Sequence, residues 1–194
     1  AVYLRGGTYL YPKMQYLQAR NGTAGNLIKI WAYPGETPVL TRNYSFDANN
    51  QDLIYFEGNY IHFKGLEIAN SAQKPGEVPW SAFRAGFANN CILENINYHH
   101  NASAMQIRGN SSNNLILNSD FHHNQDPYGS NGSGLDAFDG ADGFSFNNST
   151  GTNNIIRGCR SWWNADDGFD FWANEGYVLI ENSWAFWNGY VPGS

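Results

Sequence analysis

The sequence predicts an all-β chain, a parallel β-solenoid of about 23 residues per coil, and three observations carry that prediction. Short apolar runs of strand-forming residues alternate with Gly, Asn and Pro turns, and no helical stripe of 3.6-residue period has useful length. From Tyr60 onward one pattern recurs: an apolar run, a central Asn or Gly, and in three cases a closing Asn after a pair of His or Trp residues. A second strand then follows the closing Asn. A β-sandwich also has many short strands, but it gives no reason for Asn and paired rings to return at one phase.

Residues 1–58 read as short strands, such as Val2 to Leu4, Leu27 to Ala32 and Leu53 to Phe56, broken at Gly6-Gly7, Asn21-Gly22, Pro34-Gly35 and Asn49-Asn50. The repeat runs through Tyr60–Ile68, Cys91–Asn101, Asn114–Asn124, Asn154–Asn164 and Val178–Asn188. Its central positions Asn95, Asn118, Gly158 and Asn182 step by 23, 40 and 24. The long step contains a Gly/Ser/Asn-rich insertion over 126–134, read as a loop on one coil. Asn at a fixed place per coil predicts a ladder of side-chain amides up the stack. In the following strands, alternation points Met105, Ile107, Phe144, Phe146, Phe169 and Phe171 inward, and Gln106, Arg108, Ser145 and Asp170 outward.

Composition removes several classes of function. The formal net charge is −6, with only 11 Lys and Arg, so no basic face is available for a nucleic acid. No apolar stretch approaches the roughly 20 residues of a membrane span. Cys91 and Cys159 stand about two coils apart at different phases, and a disulfide between them is not expected. His99-His100 and His122-His123 could suggest a metal, yet later coils carry Trp162-Trp163 and Phe186-Trp187 at that phase. A stacked turn position explains all four pairs. Trp163 and Trp187 could pack in the core or stack on sugar rings. Lys64, beside the central Gly65 of its coil, reads as a solvated turn residue. The residues 1–194 are expected to form one domain, a monomer, cut from a longer chain.

The chemistry concentrates in Asn164-Ala165-Asp166-Asp167-Gly168-Phe169-Asp170-Phe171-Trp172, with an echo in Asp142-Gly143-Phe144 at an offset of 25. On stacked coils about 4.8 Å apart, Asp142 falls within reach of the later carboxylates. Four carboxylates on one surface repel each other unless a cation compensates. A donor set of hard oxygens, without Cys or His, selects Ca2+. A solvated acidic turn, or an ion that only staples two coils, is the plainer alternative.

This stretch resembles polysaccharide lyase family 9, the right-handed parallel β-helix pectate lyases. The resemblance is specific over roughly 138–190 and includes Gly158–Asn164 and Ile180–Phe186; upstream it rests on the coil pattern and Gly6-Gly7-Thr8-Tyr9. It implies that Asp142, Asp166, Asp167 and Asp170 bind calcium. It further implies that the substrate is an acidic polysaccharide such as polygalacturonate, cleaved by β-elimination outside the cell, where such polymers occur. Arg84, Gln106 and Arg108 are then candidate substrate contacts. The family's base is a lysine on a coil after the acidic cluster. No Lys follows Lys74 here, so no catalytic base is assigned. Two other readings stand beside the lyase: a β-helix that binds an acidic polysaccharide through calcium without cutting it, and a structural protein whose coils calcium pins.

Overall fold

The computed structural model describes residues 1–129 and 136–191, and every regular element in them is a β-strand. The chain winds through three sheets in turn, so that each strand pairs in parallel with its equivalents one coil before and one coil after. The first sheet stacks Val2–Leu4, Ile28–Ala32, Ile61–Lys64, Ile92–Glu94, Leu115–Leu117, Asn154–Arg157 and Val178–Glu181. The second stacks Gly7–Tyr11, Pro38–Arg42, Glu67–Ala69, Asn97–His99, Asp120–His122, Arg160–Trp162 and Trp184–Phe186. The third, which carries the site, stacks Gln15–Leu17, Ile54–Phe56, Ser81–Gly86, Ser103–Gly109, Phe144–Ser149 and Phe169–Asp170. This is the parallel β-helix that the repeat predicts.

The register corrects the period. Coil steps are 28 (Val2 to Ile30), 33 (Ile28 to Ile61) and 30 (His62 to Ile92), then 23 (Ile92 to Leu115), 40 (Leu115 to Ile155) and 24 (Asn154 to Val178). The 23-residue coil is thus the short form, and the earlier coils carry longer turns that blur the repeat. Three early strands escape the sequence reading: Gly7–Tyr11, Gln15–Leu17 and Pro38–Arg42. Each begins beside or within a run of turn-forming residues. Of the expected insertion, 126–129 form a tight turn beginning at Asp126, and 130–134 lie outside the described residues.

Two jobs that the repeat merges are separate in space. The central positions Gly65, Asn95, Asn118, Gly158 and Asn182 all take positive φ, from 49° to 72°. Only Gly and Asn adopt that left-handed turn at small cost. The ladder belongs instead to the closing asparagines. Oδ1 of Asn101 accepts from the Ser71 amide at 3.0 Å, and Oδ1 of Asn124 accepts from the Asn101 amide at 3.1 Å. Nδ2 of Asn124 donates to Asn164 Oδ1 at 2.7 Å, and Nδ2 of Asn164 donates to Asn188 Oδ1 at 2.9 Å. Asn101, Asn124 and Asn164 are buried, so each amide meets in its neighbours the polar groups it would otherwise find in water.

Inside the coils runs an aromatic spine. Phe56, Phe63, Phe83, Tyr98, Phe121, Phe144 and Phe146 are all fully buried, with successive ring centroids 4.9 to 6.0 Å apart. Full burial of an aromatic side chain contributes about 1.5–3 kcal/mol. The predicted inward residues Met105, Ile107, Phe144 and Phe146 lie in this core, and Phe169 packs against it. Phe171 does not: it stacks flat on Phe146 yet is 36% exposed, and among the described residues no later strand of the third sheet lies over it. Ser145 lies on the outer face as predicted but is buried beneath Gln106.

Outside the coils the paired rings form two columns. His99, His122, Trp162 and Phe186 stack nearly parallel at 4.4 to 5.8 Å; His100, His123, Trp163 and Trp187 continue alongside. The paired histidines are therefore stacked rings at the strand ends, His99 and His122 closing their strands and His100 and His123 in the turns that follow. Both cysteines are free and buried. Lys64 corrects its reading as a merely solvated residue, since it pairs with Glu94 at 2.8 Å. Among the described residues no helix is long and apolar enough to cross a membrane.

Candidate active site

The Asp-Gly-Phe echo places its two copies on adjacent coils by main-chain bonding. The Gly143 amide donates to the Asp167 carbonyl at 2.9 Å, and the Phe144 amide to the Gly168 carbonyl at 3.1 Å. Below them, the Ala104 amide donates to the Asp142 carbonyl at 3.0 Å. In the strands that follow, Arg84, Gln106, Ser145 and Asp170 lie in register across the third sheet.

The glycine of each copy is needed for close packing. A Cβ on Gly143 would lie 2.2 Å from Ser161 Oγ and 2.8 Å from both Asn164 Nδ2 and the Gly168 carbonyl oxygen. A Cβ on Gly168 would lie 2.4 Å from Asn188 Nδ2. The asparagine ladder thus passes directly behind the acidic residues and leaves no room for a side chain.

All seven candidate residues, Arg84, Gln106, Arg108, Asp142, Asp166, Asp167 and Asp170, line one cleft of about 700 Å³ over the third sheet. Trp80, Asp139, Asn147 and Trp172 line it too, and sequence reasoning did not single them out. Trp172 and Asp139 flank the acidic motif and could have been found by extending it. Trp80 has no repeat signal, since it sits in a Pro-rich stretch before its strand.

The acidic end of the cleft is strongly unbalanced. Asp142 is only 9% exposed. Its burial, and then the charges of Asp170, Asp166 and Asp167, push its carboxyl well above the ordinary range, although the Asp167 amide donates to it. Burial, with Asp167, Asp139 and Asp170 nearby, raises Asp166 to about 6. Burial also raises Asp170, whose carboxylate accepts the Trp172 amide at 2.8 Å. Behind them Asp126 is fully buried and is pushed up to about 7 by that burial. None of the four cluster carboxylates has a Lys or Arg ion-pair partner among the described residues.

Among the described residues no three acidic or His/Cys side chains already close into a ligand set. The carboxylates face one cleft without meeting. A buried carboxylate whose charged neighbours are three further carboxylates is the environment that a hard divalent cation relieves, and the donor set of oxygens fits one.

The other end of the cleft is basic. Arg84 is buried and contacts Asp52 at 3.0 Å without hydrogen-bond alignment, and its guanidinium lies 4.7 Å over the Trp80 ring. Burial pushes Asp52 up to about 7 against the pull of Arg84 and Arg108. Arg108 is half-buried and donates to Asn147 Oδ1 at 3.2 Å.

The coil pattern and the cleft have known counterparts. The profile of the Pel9A-like right-handed β-helix region matches residues 1–194. The chain belongs to this family. Pectate lyase L of Dickeya chrysanthemi is 39% identical over 97% of the chain, which corresponds to 43% of that protein. The crystal structure of pectate lyase Pel9A superposes with a TM-score of 0.76 at 30% identity, covering 99% of this chain and 46% of that one. A rhamnogalacturonan lyase superposes with a TM-score of 0.78 at 28% identity, covering 99% and 50%. This member of the Pel9A-like family therefore spans about half the length of the relatives it matches.

Proposed function

We propose that the chain is the calcium- and substrate-binding part of a polysaccharide lyase that cleaves a polyuronate of the pectate type by β-elimination. The observation that carries the reading is the cleft: four unpaired carboxylates at one end, Arg84 and Arg108 at the other, on a β-helix whose relatives are named pectate lyases.

Asp142, Asp166, Asp167 and Asp170 would hold the cation. When bound, it would neutralise the substrate carboxylate and acidify the adjacent C5 proton. In the elimination the C5 proton leaves to a base, the electron pair forms the C4=C5 double bond, and the C4–O glycosidic bond breaks. The chain's own residues bind and orient: Asp167 and Asp142 are fixed by main-chain bonds between coils, and Gln106 sits between the charged ends. No base is assigned within 1–194. Such polymers are extracellular, so this reading also places the protein outside the cell.

The test is incubation with polygalacturonate in calcium and then in chelator, following the ultraviolet absorbance of the unsaturated uronide. A calcium-dependent rise, abolished in Asp167→Ala, is expected. An Asp167→Ala protein with unchanged calcium affinity and unchanged turnover would remove the cluster from the mechanism. Calcium-dependent binding without cleavage is the second reading, since no residue lining the cleft is assigned as base. It predicts retention on immobilised polygalacturonate in calcium but no absorbance change.

A further inference from the structure

Of the chain's seven arginines, Arg20 and Arg108 have no carboxylate partner among the described residues, and only Arg108 of these two lines the cleft. Arg5, Arg42, Arg84, Arg157 and Arg160 each pair with a carboxylate.

Its neighbours are arranged to leave its guanidinium available. On the preceding strand the residue opposite is Gly86, over which the Tyr55 hydroxyl lies, so no charged side chain stands opposite Arg108 there. On the following strand the register slips between Ile107 and Gly109, because the single residue Arg108 there opposes two, Asn147 and Asn148. Such a bulge re-aims side chains next to functional sites. Here the extra residue brings Asn147 to Arg108, where its Oδ1 accepts one guanidinium N–H and leaves the remaining donors unclaimed by any carboxylate.

Charge distribution gives this group a purpose. Asp52 faces two guanidiniums, those of Arg84 and Arg108, so one carboxylate serves two cations. A surplus positive charge therefore sits at this end of the cleft. The strand of Arg108 lies two strands before that of Asp170, about 10 Å away at the spacing of stacked strands. A polymer with a carboxylate on each sugar can place one at the acidic cluster, through a cation, and another on Arg108. A methyl-esterified sugar offers Arg108 no charge.

We propose that Arg108 is a specificity-determining subsite that reads a free uronate carboxylate two coils from the acidic cluster and so selects the free acid over its methyl ester. The inference rests on the polyuronate reading of the cleft. Arg84 is a positioning residue in it: held by Asp52 and Trp80, it maintains the positive field without being free to pair.

Equilibrium binding in calcium, measured by calorimetry with an oligogalacturonate and with a partly methyl-esterified oligomer of the same length that keeps a free carboxylate for the cation, tests this. Arg108→Ala should weaken binding of the free acid about tenfold or more, the effect of losing one charge-assisted hydrogen bond, and leave ester binding within about twofold. Unchanged ester binding also reports that the variant is folded. Arg108→Lys should restore part of the preference for the acid. Equal loss on both ligands, no loss on either, or a wild-type protein that does not prefer the acid would overturn the subsite. The lyase reading fails separately: acid-selective, Arg108-dependent binding without unsaturated product keeps the subsite and removes the enzyme. Product formation with acid preference intact in Arg108→Ala does the reverse.

Discussion

Removing one rung of the asparagine ladder should cost more than its two hydrogen bonds suggest. Asn124 is fully buried, accepts the Asn101 amide at 3.1 Å and donates to Asn164 Oδ1 at 2.7 Å. In Asn124→Ala the Asn101 amide loses its acceptor inside the stack, a desolvation penalty of about 1–3 kcal/mol. The lost donor is less damaging, because Asn164 Oδ1 keeps the Asn124 main-chain amide at 3.3 Å; this term is about 1 kcal/mol. Together they give about 2–4 kcal/mol, a large share of the stability of any domain. Asn118→Gly is the matched control. That Asn is exposed, has φ of 49°, and is replaced by Gly158 one coil later, so its change should stay within about 0.5 kcal/mol. Urea unfolding followed by tryptophan fluorescence reads both, provided the slope against urea stays constant. A loss below about 1 kcal/mol for Asn124→Ala, or one equal to that of Asn118→Gly, would show that the ladder is a by-product of stacking and not a support for it.

Two further predictions concern the ring columns and the acidic coil. Burial, reinforced by His99, His123, His100 and Arg160, depresses His122 to about 3, whereas the unfolded residue titrates near 6.5. Between those values the unfolded chain takes up protons that the folded chain refuses, so stability is complete above about pH 6.5 and falls as pH drops toward 3. His100 and His123 are lowered in the same direction, chiefly by burial. The double variant His122→Phe/His123→Trp, which copies the Phe186-Trp187 pair, should lose less melting temperature between pH 7 and pH 5 than the parent; parallel profiles would refute the argument. Gly143→Ala forces a Cβ to 2.2 Å from Ser161 Oγ and against the Gly168 carbonyl, and should destabilise by about 1–3 kcal/mol. Because Asp142 moves with that backbone, the calcium site proposed above predicts a rise in melting temperature with calcium in the parent and the loss of most of it in the variant. A full calcium response in Gly143→Ala would separate the glycine from the site.

The sequence was legible where a coil is short and its residues have one job. From Tyr98 to Asn124 and from Asn154 to Asn188, strand, left-handed turn, strand and ladder recur within 23 or 24 residues, and the chain announces its own register. The candidate residues were legible for the same reason, since alternation along Ser103–Gly109 and Phe144–Ser149 places Gln106, Arg108 and the acidic strand on one face. Three features were not legible. Early coils carry turns of variable length, so Gly7–Tyr11 and Pro38–Arg42 fall among residues that normally end strands. Phe171 alternates correctly, but among the described residues no further third-sheet strand lies above it to bury it. Arg84 reads as a candidate substrate contact, and its ion-pair partner Asp52 lies 32 positions earlier on a different turn, a separation that no local pattern reports.

The ladder and the acidic cleft are one construction. Stacked coils force equivalent positions to within about 4.8 Å, which for carboxylates is repulsive and for asparagine amides is bonding distance. This chain has both at once. Asn164 closes the ladder rung and Asp166 begins the acidic turn two residues later, while Gly143 and Gly168 let the amides of Asn164 and Asn188 pass close behind Asp142 and Asp167. The rungs hold the backbone in the register that brings the carboxylates together, against their mutual repulsion. A smaller side chain in the ladder, or a larger one at either glycine, should therefore be felt first at the cleft. The repulsion of the unpaired carboxylates is concentrated there, and the ladder opposes it together with the main-chain bonds from Gly143 to Asp167 and from Phe144 to Gly168.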